Sequence, residues 1–155
     1  MRKQPKIETQ SAPSRSKQLR ILSISPSDED HLSLQAVFSH TKWLFFKARD
    51  LATGVELLQE HEIAVLLCER DLLVGTWTDV LEHIQTLQTA PSLIVTSRLA
   101  DDRLWAEALN LGAWDVLAKP FDRLEVIRSV KSAWQRWQDS VHMRTGAVRT
   151  MDAAV

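Results

Sequence analysis

The chain has 155 residues, of which 45% are hydrophobic and 25% charged, and its formal net charge is -1. That length suits one domain with a real core, and the balanced charge excludes a bulk electrostatic drive toward nucleic acid or an anionic membrane. No apolar run approaches the ~20 residues of a membrane span, and the single Cys68 excludes an internal disulfide, so a soluble protein of the reducing cytoplasm is expected.

Residues 1–17 are rich in Lys, Arg, Gln, Ser and Pro, with Ile7 the one large apolar residue after Met1. Such a segment cannot bury enough surface to order itself and reads as a flexible basic arm. A folded domain over 18–138 follows, opening with a short strand at Leu19 to Ile24 that Pro26 ends. Ser27 or Asp28 caps a helix whose apolar positions Leu32, Leu34, Val37 and Phe38 recur at helical spacing. Trp43 to Ala48 is a second strand, and Asp50 or Thr53 opens a helix carrying Leu51, Val55, Leu57 and Leu58.

An unbroken apolar run from Ile63 to Cys68 then stops at Glu69, Arg70 and Asp71, as a buried parallel strand does at the carboxyl edge of its sheet. A loop through Gly75 leads into a helix over Thr76 to Leu87. Leu93 to Thr96 is a fourth strand, followed by a helix capped by Asp101 or Asp102 and closed by Gly112. Trp114 to Ala118 is the fifth strand, and after Pro120 Asp122 caps a last helix whose apolar positions run through Leu124, Val126, Ile127, Val130, Ala133, Trp134 and Trp137. Polarity rises afterwards, so 139–155 reads as a flexible tail.

Strands alternating with helices predict an α/β three-layer sandwich: a five-stranded parallel sheet with five helices, joined by right-handed crossovers. The flavodoxin-like strand order 2-1-3-4-5 is the commonest solution for five βα units. It brings the ends of strands one, three and four, with Lys119 after strand five, to one crevice.

Three segments now carry a family resemblance: ERDLLVGTW at Glu69 to Trp77, LIVTS at Leu93 to Ser97, and LNLGAWDVLAKPFD at Leu109 to Asp122. With them the chain resembles, over roughly Gln18 to Trp137, the receiver domain of bacterial two-component response regulators. In active members strand one ends in acidic residues that hold Mg²⁺, strand three in a phosphorylatable aspartate, strand four in Thr or Ser, and strand five in Lys. Thr96 and Lys119 match, as a vestigial phosphate pocket. Glu69 stands at the phosphoacceptor position, and the acidic pair falls on Ser25 and Pro26, which are degenerate metal positions.

These departures have chemical consequences. Phosphoryl transfer to a carboxylate needs a divalent cation, usually held by one or two carboxylates, and Ser25 and Pro26 offer none. Asp28 and Glu29 fall in the first turn of a helix, where acids are expected as dipole partners. Glutamate is one methylene longer than aspartate, so its oxygen is displaced by more than ~1 Å, enough to cost ~100-fold in rate. An ion pair from Glu69 to Lys119 is expected instead, with Asp71 the rival acceptor. Val116 stands where the family commonly has Tyr or Phe, so an aromatic switch is missing, and Trp105, Trp114 and Trp134 are read as packing residues.

The buried Cys68 has no His near it in sequence, the five His show no metal-ligand spacing, and no glycine-rich phosphate loop follows the first strand. A flavodoxin-type cofactor protein therefore has little support. The resulting expectation is a stand-alone receiver-like binding module that is no enzyme, has no metal or cofactor, and acts independently of phosphorylation. The alternative is a working receiver that takes phosphate from a histidine kinase on Glu69 or Asp71, with Mg²⁺ at Asp28 or Glu29. The resemblance implies a protein partner, such as a histidine kinase or downstream regulator, or a second copy of the chain. Docking is expected on the face of helix four, strand five and helix five through Arg103, Glu107, Asp115, Arg123, Arg128 and Lys131, with no membrane or direct nucleic-acid contact.

Overall fold

A computed structural model describes the backbone of residues 18–154 and the side chains of residues 18–144, so the expected arm at 1–17 lies outside the described residues. The elements run β1 (Arg20–Ile24), α1 (Asp28–Phe38), β2 (Leu44–Ala48), α2 (Leu51–Glu60), β3 (Val65–Glu69), α3 (Trp77–Gln85), β4 (Ser92–Ser97), α4 (Asp102–Leu111), β5 (Asp115–Ala118) and α5 (Arg123–Ala154). All strand pairs are parallel and the sheet order is β2-β1-β3-β4-β5. This is the flavodoxin-like arrangement, with both faces of the sheet covered.

The central strands show why. Successive strand side chains point to opposite faces, and β3 is apolar on both. Leu66 and Cys68 pack with Leu22, Ile24, Val95, Trp77, Val80 and Leu104 under α2, α3 and α4. Val65 and Leu67 pack with Ile21, Ile94, Leu34, Val37, Val126 and Val130 under α1 and α5. An apolar run without alternation is what such a strand requires.

Local chemistry sets the helix starts. The side chains of Ser27, Asp50 and Asp101 accept from the N–H groups of Asp30 (3.3 Å), Thr53 (2.8 Å) and Leu104 (2.9 Å). Hydrogen bonds from Thr53 also hold the Asp50 carboxyl below the usual range. Thr76 and Asp79 form a reciprocal capping box at α3. Gly112 ends α4 at φ 116°, a left-handed conformation that disfavours any side chain.

Some expectations change. Leu32 and Leu124, placed on apolar faces by spacing, are 67% and 75% exposed. Neither lies on the stripe that meets the sheet, which in α1 is Leu34, Val37 and Phe38. Strand three is shifted toward Glu69, because Ile63 and Ala64 are buried ahead of the ladder rather than in it. Helix α5 runs on to Ala154, past residue 138 where a tail was expected. Residues 139–154 contain no proline and several good helix formers, so nothing in them stops a helix already nucleated against the core.

Burial has a measurable consequence at Cys68. Its side chain is enclosed by the sheet, and desolvation, helped by the neighbouring Glu69 charge, pushes its thiol well above the ordinary range. A folded-state pKa above the unfolded one means that the native state retains a proton the unfolded chain loses. This stabilisation is complete below about pH 8.5 and is lost above it by up to ~1.4 kcal/mol per pH unit. Urea unfolding between pH 8 and 10 should show a stability decline that is shallower in Cys68→Ala, and the native thiol should resist a thiol reagent until the chain unfolds.

Candidate functional site

Parallel strands deliver their carboxyl ends to one edge, and the register fixes which residues meet there. Glu69 on β3 pairs with Thr96 on β4, Ser97 with Ala118 on β5, and Ile24 on β1 with Cys68. The next residue on β1 is Ser25, whose N–H donates to the Ala48 carbonyl at 3.0 Å. The next on β5 is Lys119, whose N–H donates to the Ser97 carbonyl at 3.1 Å.

At the centre of this edge is a buried ion cluster. The Lys119 ammonium donates to Asp30 Oδ2 at 2.5 Å and also pairs with Glu69 Oε1. The three side chains are 8%, 7% and 13% exposed for Lys119, Asp30 and Glu69. Further donors fix both carboxylates. Ser25 Oγ donates to Asp30 Oδ2 at 2.7 Å, and the Asp71 N–H donates to Glu69 Oε2 at 3.1 Å. His31, also buried, bonds the Ser25 carbonyl through Nε2 at 2.9 Å. A carbonyl only accepts, so Nε2 carries the proton.

Asp30 is the site residue that sequence reasoning missed. It stands in the acidic triplet Asp28, Glu29 and Asp30, whose members all fall in the first turn of α1. Asp30 lies four and seven residues before the buried Leu34 and Val37, so helical periodicity already placed it on the core face. The triplet diverges at 100° per residue. Asp28 pairs with Arg49 beyond β2, Glu29 approaches Arg98 beyond β4 at 3.8 Å, and Asp30 reaches Lys119 beyond β5. The first two pairs are exposed and contribute little; the third is the buried one.

The other expected residues distribute as follows. Asp71 is exposed and its carboxylate accepts from Arg70 Nη2 at 2.9 Å. Thr96 is buried and its carbonyl accepts from the Arg70 N–H at 2.8 Å, while no hydrogen bond joins its hydroxyl to Glu69. Pro26 is half-buried beside Ser25, and Val116 is buried. On the α4–β5–α5 face Arg103, Glu107, Arg123, Arg128 and Lys131 are exposed. Asp115 is not a free surface charge, because Ser129 Oγ of α5 donates to it at 2.5 Å. Trp105, read as a packing residue, is 38% exposed, and Leu109 one turn later is 44% exposed.

Comparison with known proteins converges on one family. A family model described as the response regulator receiver domain matches residues 17–131. The transcriptional activator protein IrlR of Burkholderia pseudomallei is 28% identical over 123 residues, covering 77% of this chain and 52% of IrlR. The chain thus spans about half the length of the curated relatives it matches. Among solved structures, the signal receiver domain of a putative Luxo repressor protein from Vibrio parahaemolyticus superposes with a TM-score of 0.74 at 17% identity, covering 81% of this chain and 97% of that one. The signal receiver domain of an HD domain-containing protein from Pseudomonas fluorescens Pf-5 gives 0.71 at 22% identity, covering 79% and 98%. At these identities the structures show a shared fold.

The ion cluster predicts its own fragility. Lys119→Met would leave Asp30 and Glu69 buried without their cation, and breaking a buried pair in this way costs about 3–5 kcal/mol. The triple change Lys119→Met, Asp30→Asn, Glu69→Gln removes the charges together and should recover most of that loss in urea unfolding. A single-variant loss below about 1 kcal/mol would show that the cluster is solvated, as surface pairs are.

Proposed function

Because this chain belongs to the response-regulator receiver domain family, whose model covers residues 17–131, we propose that it is a two-component signalling module acting by protein binding without being phosphorylated. The observation that carries this reading is the Lys119 ammonium held between Asp30 and Glu69. One of these two resident carboxylates, Glu69, stands at the acceptor position itself, so the cation of the pocket is paired there by a fixed charge.

Three features support the reading. Glu69 places a longer side chain at the acceptor position, and its outer oxygen is occupied by the Asp71 N–H. Ser25 supplies a hydroxyl that donates to Asp30, and Pro26 supplies no ligand. Mg²⁺ usually takes one or two carboxylates, and the two that meet at this edge, Asp30 and Glu69, share the Lys119 ammonium, which supports a site that works without the metal. Asp28 and Glu29, the candidates for a relocated metal site, face Arg49 and Arg98.

A module of this kind transmits by contact. The α4–β5–α5 face offers exposed charges of both signs, Arg103, Glu107, Arg123, Arg128 and Lys131, together with Trp105 and Leu109. An aromatic anchor within a mixed-charge rim is the composition of a specific docking surface. A histidine kinase, a downstream regulator or a second copy of the chain is the partner class proposed for it.

Incubation with acetyl phosphate and Mg²⁺, followed by intact mass measurement, tests the proposal. The wild-type mass should be unchanged, and so should that of Glu69→Asp, because restoring acceptor length does not restore metal ligands. A stoichiometric, base-labile gain of one phosphoryl group in the wild type would establish a working receiver in its place.

A further inference from the structure

At the opposite end of the sheet from the ion cluster, the amino ends of β4 and β5 and the overrunning part of α5 enclose a cleft of about 170 Å³. Its walls combine Pro91, Trp114 and Trp137 with Arg136, Ser140 and Arg144. Arg136, Ser140 and Arg144 are spaced by four, so helical geometry sets them along one stripe of α5. None of the lining residues is acidic, although the chain as a whole carries 20 acidic residues against 19 basic ones. Neither guanidinium forms an ion pair among the described residues. The cleft is locally electropositive, and its concavity concentrates that field.

The aromatic part is pre-organised. Trp114 donates its indole N–H to Ser132 Oγ at 3.0 Å, which pins the ring, and the Arg136 guanidinium sits 5.2 Å from the ring centroid. Trp137 is 5% exposed, and its indole N–H has no hydrogen-bond partner. A buried donor left unpaired carries a desolvation cost that a ligand acceptor would relieve. Two cations without an ion pair and two indole rings thus line one small space, and one of those rings carries an orphaned N–H.

From this convergence we propose that the cleft binds a small aromatic carboxylate. The carboxylate matches the planar fork of a guanidinium, which bonds such groups in a bidentate manner. A planar ring matches the Trp114, Trp137 and Pro91 walls, where a hydrated inorganic ion would leave apolar surface uncovered. The site lies across the sheet from Glu69, Asp30 and Lys119, so it is independent of whether the chain accepts phosphate.

Benzoate is the probe, with the ¹⁵N-labelled full chain observed through its Trp indole N–H resonances. Trp114→Phe and Trp137→Phe assign the two signals from the cleft. Benzoate should shift the Trp137 resonance saturably, with half-saturation at about millimolar concentration, as suits a small ligand with few contacts. The double variant Arg136→Gln, Arg144→Gln should weaken that response at least about tenfold while the indole resonances outside the cleft keep their positions, which shows an intact fold. Absence of a saturable shift overturns the proposal. So does an equal response in the double variant, or an equal response to inorganic phosphate, which would mark a site for simple anions without a need for the ring.

Discussion

The carboxyl edge of this sheet depends on one ammonium group. Lys119 enters from β5 and is held by Asp30 from α1 and Glu69 from β3, so a single cation ties together three elements that are distant in sequence. Each partner is nearly buried, and the cluster is tolerable only because every member is bonded to another charge or to a fixed donor. Ser25 and the Asp71 N–H complete it from β1 and from the turn after β3. The apolar body of the fold brings four strand ends together, and the ions decide what those ends are able to do.

The exposed charges around the cluster play a different part. Asp28 with Arg49, Glu29 with Arg98, and Asp71 with Arg70 lie in solvent, where such pairs contribute little free energy. Their effect is on availability: Asp28, Glu29 and Asp71 each face a cation of this same chain. On the proposed reading, a metal or phosphoryl group approaching these carboxylates meets charges that are already compensated, by surface pairs outside and by Lys119 within.

Much of this architecture was legible in the sequence, for physical reasons. Continuous apolar runs such as Val65 to Cys68 signal strands buried on both faces, and their charged terminations at Glu69 and Lys119 mark the functional edge. Thr76, Asp101 and Gly112 announce helix boundaries through side-chain and backbone chemistry that acts within a few residues. Asp30 was harder to see because two readings overlapped on it. An acid in a first helical turn is expected as a partner of the helix dipole, and that local reading concealed the longer-range one carried by its spacing to Leu34 and Val37. Leu32 and Leu124 failed in the opposite sense, since an apolar residue near a helical stripe need not lie on it. The extent of α5 was not legible because the amphipathic pattern fades after Trp137, whereas a helix already nucleated by packing propagates without that pattern.

On the proposed reading, the cluster also constrains how the module can signal. A ligand shifts a conformational equilibrium only through its different affinity for the two states. Phosphorylation does this in a working receiver by giving the lysine and the Thr or Ser side chain a new partner. With Glu69 resident at that position and Val116 in place of an aromatic side chain, neither the new partner nor the ring that would respond to it is present. A change of state would then require breaking the Asp30 and Glu69 contacts to Lys119, which leaves buried charge unpaired, so the edge favours one arrangement strongly. Information would enter through other variables: the concentration of the partner that docks on α4, β5 and α5, or occupancy of a site elsewhere on the sheet.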